Sequence, residues 1–173
     1  MPITKPEPSE YAPFYHSYIG KVTQNDLITA LKAGGDYFEK FVSNIPKDKA
    51  DYRYAEGKWT VKEVLSHMLD TERIFAYRAL RFARNDKTEL AGYDEKLYVP
   101  ESNAANRNIE SFIDEGIYIR KATIALFESF TEAMSKRTGT ANGREISVRA
   151  LGFLIPGHEL HHLGVIKERY LNN

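Results

Sequence analysis

The chain has no cysteine among its 173 residues. Disulfides are therefore excluded, and any bound metal must be held by nitrogen and oxygen ligands. A net charge is missing as well: Lys plus Arg is 24 and Asp plus Glu is 24. That balance argues against a broad nucleic-acid surface, which needs an excess of basic side chains. No apolar run is long enough to span a bilayer. The start, Met1 to Pro8, lacks the basic and apolar regions of a secretory signal. Strand-like alternation is almost absent too. These absences leave a soluble cytoplasmic protein as the expectation, without nucleic-acid or membrane partners. The length suits one domain over residues 1–173 with a single sizeable core.

What is present is a concentration of histidine. Three of the five histidines lie in His158-Glu159-Leu160-His161-His162. Two histidines four apart on a helix present their rings to one point, so His158 and His162 can share a metal ion. Leu151, Leu154, Ile155, Val165 and Ile166 put this pair on the apolar side of its helix, where unpartnered imidazoles would be costly. His161 lies about 100° from His162 and about 60° from His158 around the helix. A His158/His161 pair could also chelate, but the apolar stripe favours His162.

Four amphipathic segments organise the chain. Residues 1–22 are expected to be an extended arm, because Pro2, Pro6, Pro8 and Pro13 disfavour helix, with Tyr11, Phe14, Tyr15 and Tyr18 pinning it down. His16 reads as a surface or packing residue. A first helix is predicted from an Asn25 or Asp26 cap to before Pro46, its Gly34-Gly35 pair either weakening it or admitting a close neighbour. The pattern Thr60-Val61-Lys62-Glu63 is a capping box opening a second helix. Residues 86–106 are predicted to be loop. A third helix is predicted over 109–135, then a short hairpin at Asn142-Gly143, then a helix from the Ser147 cap to about Tyr170. The fold class is all-α, a four-helix bundle.

A bundle can build a metal site from facing helices. The best third ligand is His67, on the edge of the second helix's apolar stripe, with small, polar Thr71 one turn on. Three histidines plus solvent make an open, catalytically capable site. Pro156, inside the last helix, is expected to bend it and could aim His158 inward. Arg120 occupies a core position, and Glu72 falls on the inward arc of the second helix, so a buried Arg120–Glu72 pair is expected. Glu159 is the nearest candidate catalytic base, with an exposed helix position as the alternative. Trp59 reads as a core anchor. Tyr77, Arg78 and Tyr93 are candidates for a pocket mouth. No cofactor-binding residues emerge.

His158 to His162 matches the zincin H-E-x-x-H motif formally, but no strand pattern is available to align a peptide beside it. A second resemblance covers nearly the whole chain. Tyr54 to His67, with its W-[ST]-x-K-E-x-x-x-H pattern, resembles the opening of DinB-like proteins. Phe75 to Arg84 and Gly92-Tyr93-Asp94-Glu95 fit as well. Gly157 to Ile166 resembles the closing H-x-x-x-H-x-G-x-[IL] motif of the DinB/YfiT superfamily. The resemblance places the family's metal triad on His67, His158 and His162. It implies an up-down-down-up bundle, a homodimer, and one divalent metal among nickel, zinc, iron and manganese. It also implies a low-molecular-weight thiol in some members: relatives include S-transferases using bacillithiol, mycothiol or glutathione, and a maleylpyruvate isomerase. YfiT-like members are described as candidate metal-dependent hydrolases. Leu163 stands where relatives often carry Arg, which puts any substrate contact of that Arg in doubt here.

Two functions therefore compete. One is a metal-dependent enzyme, a thiol-dependent S-transferase or a hydrolase, acting on a small-molecule substrate. The alternative is a non-catalytic bundle that binds a metal or ligand. An open coordination position facing a polar cavity distinguishes the first from the second.

Overall fold

A computed structural model describes residues 2–172. Four long helices carry the fold: α1 (Leu27–Ser43), α2 (Val61–Ala83), α3 (Ile109–Glu128) and α4 (Val148–Ile166). Each begins at the side chain that its sequence provides. Asp26 accepts from Thr29 N, Asn108 from Ser111 N and Ser147 from Ala150 N. At α2 the capping box is complete, Thr60 N donating to Glu63 Oε2 at 2.7 Å and Glu63 N to Thr60 Oγ1 at 3.1 Å. These bonds satisfy N–H groups that a helix start otherwise leaves orphaned.

Side-chain pairings give the helix directions. Along α4, Gly152 lies against Leu27 and Pro156 against Gly34, so α1 and α4 run parallel. Phe38 lies against Gly116 and Gly35 against Arg120, so α3 runs against α1. Tyr170, just beyond α4, donates to Trp59 O before α2, while Arg137 before α4 bonds Ala83 O at the end of α2. Hence α2 opposes α4. The order is up-down-down-up, with α1 and α2 each packed on both α3 and α4.

The apolar core is divided. One cluster includes Leu27, Leu31, Phe82, Phe127, Leu151 and Ile155. The other includes Phe38, Leu65, Leu69, Phe112, Leu163 and Ile166. Between them lies a polar layer in which Arg120 meets Glu72, Glu159 and the Leu31 carbonyl. Gly34 and Gly35 make room for it: a Cβ on Gly34 would stand 2.9 Å from Arg120 Nη1, and one on Gly35 3.1 Å from Arg120 Cγ. Close approach is thus the reason for the glycine pair.

Before α4, β1 (Thr138–Ala141) and β2 (Arg144–Ser147) form an antiparallel hairpin with Thr138 paired to Ser147. Its turn uses Asn142 at φ 53° and Gly143 at φ 69°, the left-handed pair that a two-residue hairpin loop demands.

Three expectations change. The N-terminal arm is not extended throughout: Pro8–Glu10 and Pro13–Tyr15 form 3₁₀ turns, followed by a helical turn at His16–Ile19. Pro8 and Pro13 each take the first position of a turn, where a fixed φ helps and no N–H is missed. Tyr11 is buried, Tyr15 and Tyr18 are half-buried, and Phe14 stays exposed. The segment 86–106 contains a short helix, Glu95–Glu101, because Asp94 caps it by accepting from Lys96 N and Val99 buries. Finally, α3 stops at Glu128, and a separate turn, Glu132–Ser135, follows. Thr131 caps that turn, and buried Phe130 keeps the apolar stripe going without a continuous helix. Among the described residues no helix is long and apolar enough to cross a membrane.

Candidate metal centre

The α2 cap fixes where His67 stands, nearly two turns into the helix. From the antiparallel α4, His158 and His162 face it. His158 Nε2 lies 3.1 Å from His67 Nε2 and 3.0 Å from His162 Nε2. All three ligand atoms fall within 4.8 Å of one another. His161 is not in this cluster; its ring stands edge-on to Tyr18, with centroids 5.1 Å apart. His16 is exposed and bonded to the Tyr11 hydroxyl.

The environment favours neutral rings. Burial lowers the His67 pKa from 6.5 to about 4, against a raising influence from Glu95. Burial, then the charges of His67 and His161, take His162 to about 3. His158 is held well below its ordinary value, by burial first and its histidine neighbours second. Neutral imidazole is the form that binds metals. The donor set fits a divalent ion. Tetrahedral bonds of roughly 2.0–2.1 Å imply about 3.3 Å between ligand atoms, close to the spacing here. Moreover, His158 Nε2 is approached by two other ring nitrogens and can hold only one proton. An ion would satisfy all three lone pairs at once.

Aromatic rings pack the cup. Trp59 lies 5.1 Å from His67 and Tyr18 5.7 Å from His158, centroid to centroid. Trp59 is therefore a wall of the cup as well as an anchor. Thr71 donates to His67 O at 2.8 Å and contacts the Tyr93 hydroxyl at 2.6 Å. Since Thr71 has one hydroxyl proton, Tyr93 is the donor in the second contact. The cup opens into a cavity of about 330 Å³ that reaches Tyr15, Arg78, Tyr93 and Asn142. Arg78 and Tyr93 thus line the cavity, as the sequence suggested. Tyr77 does not; it is exposed and bonded to Arg81. Trp59 and His162 also line a second cavity, of about 520 Å³.

Glu159 departs from both readings of it. It is neither exposed nor free as a base. Its Oε2 accepts from Arg120 Nη2 at 2.7 Å in the polar layer, while its Oε1 is buried without a hydrogen-bond partner among the described residues. Burial raises its pKa, with Arg120 pulling the other way. Removing it for base chemistry would break a buried ion pair. The expected Arg120–Glu72 pair is present. Leu163 is fully buried in the core.

Sequence reading did not reach Tyr15, Tyr18, Asn142 and Glu95 as cavity residues. One signal was available. Gly157, in the interior of α4, is required by packing: a Cβ there would lie 2.4 Å from Tyr18 O. That approach brings the N-terminal turns to the cup. Gly92 similarly admits Asn142, whose Oδ1 would meet a Cβ at 2.5 Å.

Fold and site together define a helical bundle with a three-histidine cluster of the kind that can hold a metal ion. The chain belongs to the DinB superfamily, whose profile matches residues 30–166. It is 27% identical over 145 residues to a Geobacillus thermodenitrificans protein provisionally named as a metal-dependent hydrolase, covering 82% of this chain and 80% of the relative. YfiT from Bacillus subtilis, described as a probable metal-dependent hydrolase with an unusual four-helix bundle topology, superposes with a TM-score of 0.75 at 20% identity over 84% of this chain and 85% of YfiT. A mycothiol-dependent maleylpyruvate isomerase gives a TM-score of 0.61 at 13% identity, over 79% of this chain and 57% of that one. At these identities the structural likenesses establish the fold alone.

Proposed function

We propose that the protein is a metal-dependent enzyme acting on a small molecule, with hydrolysis as its first reaction class. The observation that carries this reading is the convergence of His67, His158 and His162 at the wall of an open, partly polar cavity. A purely structural metal site would be closed on all sides. A divalent ion held there would supply Lewis acidity, making a water or a thiol nucleophilic near neutral pH. Zinc, nickel, iron and manganese are the candidates, since imidazole suits several of these ions.

The chain's own residues supply the rest. Low histidine pKa values keep the three ligands neutral, and the Trp59 and Tyr18 rings hold them in place. Glu95 lines the cavity and is the carboxylate placed to accept a proton there. A thiol-dependent transfer is the second reading. It is favoured by the second cavity, which shares His162 and Trp59 with the first and has room for a low-molecular-weight thiol. The homodimer belongs to the same proposal. The shallow apolar groove between α2 and α3, lined by exposed Tyr77 and half-buried Leu80 and Leu126, is the surface we assign to a second copy, checked by light scattering.

The deciding experiment is elemental analysis of untagged protein, followed by assays of the metal-loaded form with ester and amide substrates, and with electrophiles plus bacillithiol, mycothiol or glutathione. One divalent ion per chain with turnover in either assay supports the enzyme. Absence of metal after loading with all four ions removes the reading.

A further inference from the structure

We propose that Arg78 anchors a carboxylate of the substrate, so that the site takes small, elongated monocarboxylates. This deepens the reading above and rests on the histidine cup being the reaction centre.

Arg78 is only 5% exposed, yet no carboxylate among the described residues lies within ion-pair distance of it. Its hydrogen bond runs from Nη2 to Ala91 O at 3.0 Å. A buried guanidinium is costly unless a counter-charge and further acceptors meet its N–H groups. Arg120 shows how this same bundle satisfies a structural arginine, with two carboxylates and a carbonyl. Arg78 has no such set. Instead it lines the cavity that holds the three histidines.

Helical geometry relates the two ends of that cavity. Arg78 follows His67 by eleven residues, which is about three turns, on nearly the same face and roughly 16 Å further along α2. Side chains on a helix lean toward its N-terminus, so Arg78 leans toward the cup. A ligand bridging both ends must be elongated. Its middle would pass the rings of Phe75 and Tyr18, which suits a hydrocarbon or aromatic segment. Tyr15 lines the same cavity and makes no hydrogen bond through its hydroxyl to a described residue, so it is free to donate to the second carboxylate oxygen. The charge count selects a single negative charge. Among the described residues lining this cavity Arg78 is the one Lys or Arg, and Glu95 stands there too. A dianionic phosphate would lack a second cation, whereas one planar guanidinium matches one carboxylate.

The test is calorimetric titration of the zinc-loaded protein with 3-phenylpropionate, 4-phenylbutyrate and 5-phenylvalerate, each against its primary amide. The variants are Arg78→Gln, Arg78→Lys, Tyr15→Phe and His162→Ala, with circular dichroism confirming folding. The expected result is a preference of roughly tenfold or more for at least one acid over its amide. Arg78→Gln should abolish that preference, Arg78→Lys should keep part of it, and Tyr15→Phe should weaken it roughly threefold. Should Arg78→Gln fail to fold, Tyr15→Phe and the acid–amide comparison on the wild type still decide. Equal binding of acid and amide, or no binding by any acid, overturns the proposal. A preference that survives Arg78→Gln but disappears in His162→Ala also overturns it, placing the anion on the metal and leaving the metal centre intact. An Arg78-dependent preference in a protein that holds no zinc supports the anchor while removing the metalloenzyme reading.

Discussion

Arg120 grips Glu72 with two parallel hydrogen bonds, Nε to Oε1 at 3.0 Å and Nη2 to Oε2 at 2.9 Å, in the polar layer that splits the core. Both side chains are nearly inaccessible, and Glu159 shares the same guanidinium. Burial alone would lower the Arg120 pKa, but the Glu159 and Glu72 carboxylates more than offset it and keep the group charged. Removing Arg120 leaves both buried carboxylates without their shared cation. Arg120→Ala should therefore destabilise the fold by about 3–5 kcal/mol in urea denaturation. The fraction that remains folded should still bind metal. A loss below about 1 kcal/mol would mean that water relieves the layer.

The glycine at position 34 separates packing from helix propensity. An alanine in a helix interior is ordinarily favoured over glycine by about 1 kcal/mol. At Gly34, however, a Cβ would stand 2.7 Å from Glu159 Oε1. Gly34→Ala should thus be destabilising, by about 1–3 kcal/mol as overpacking usually is. Gly164 in α4 meets nothing within 4 Å, so Gly164→Ala should be stabilising by about 0.5–1 kcal/mol. Thermal melts of the two variants side by side check both signs.

Metal retention should single out three of the five histidines. His158→Ala and His162→Ala should abolish it, and His67→Ala should weaken it strongly, because a two-ligand site is incomplete. His161→Ala should leave it unchanged, since His161 packs on Tyr18 outside the cluster. Elemental analysis of dialysed proteins reads this out. A full complement of metal in His67→Ala would take His67 out of the site.

In the metal-free protein, stability should rise with pH through the acid range. His67 and His162 have folded pKa values of about 4 and about 3, below the ordinary 6.5. The unfolded chain therefore takes up protons first as pH falls below 6.5. Stability is fully present above that value and is lost on descending toward 4. The slope is at most about 1.4 kcal/mol per pH unit for each histidine. Denaturation between pH 5 and 6.5, before carboxylates titrate, should show this slope reduced in His67→Ala. An unchanged slope would mean that His67 takes up its proton without resistance from the fold.

Much was legible locally. The caps at Asp26, Thr60 and Ser147, the Asn142-Gly143 turn and the one-turn spacing of His158 and His162 are short-range patterns, and short-range geometry is what sequence encodes most directly. Periodicity also singled out Arg120, Glu72 and His67 as polar residues on apolar faces, and three such misfits are informative because burial demands partners for them. The breaks in α3 and the turns before α1 were less legible. There a single side chain, Thr131 or Pro13, tips a balance of small local terms that the apolar stripe does not report.

By itself, the sequence determined the starts of the four long helices, their inward faces and the three histidines on those faces, since each follows from spacing along one chain. Only the tertiary structure decided which groups meet. It tied Glu159 to Arg120 rather than leaving it beside the histidines, and it buried Arg78 in the cavity with no carboxylate of a described residue within ion-pair distance. It also carried Tyr15, Tyr18 and Asn142 to the cup across long stretches of chain. The physical reason is that such encounters depend on close backbone approach, at Gly34, Gly92 and Gly157, where a missing Cβ lets a distant segment in.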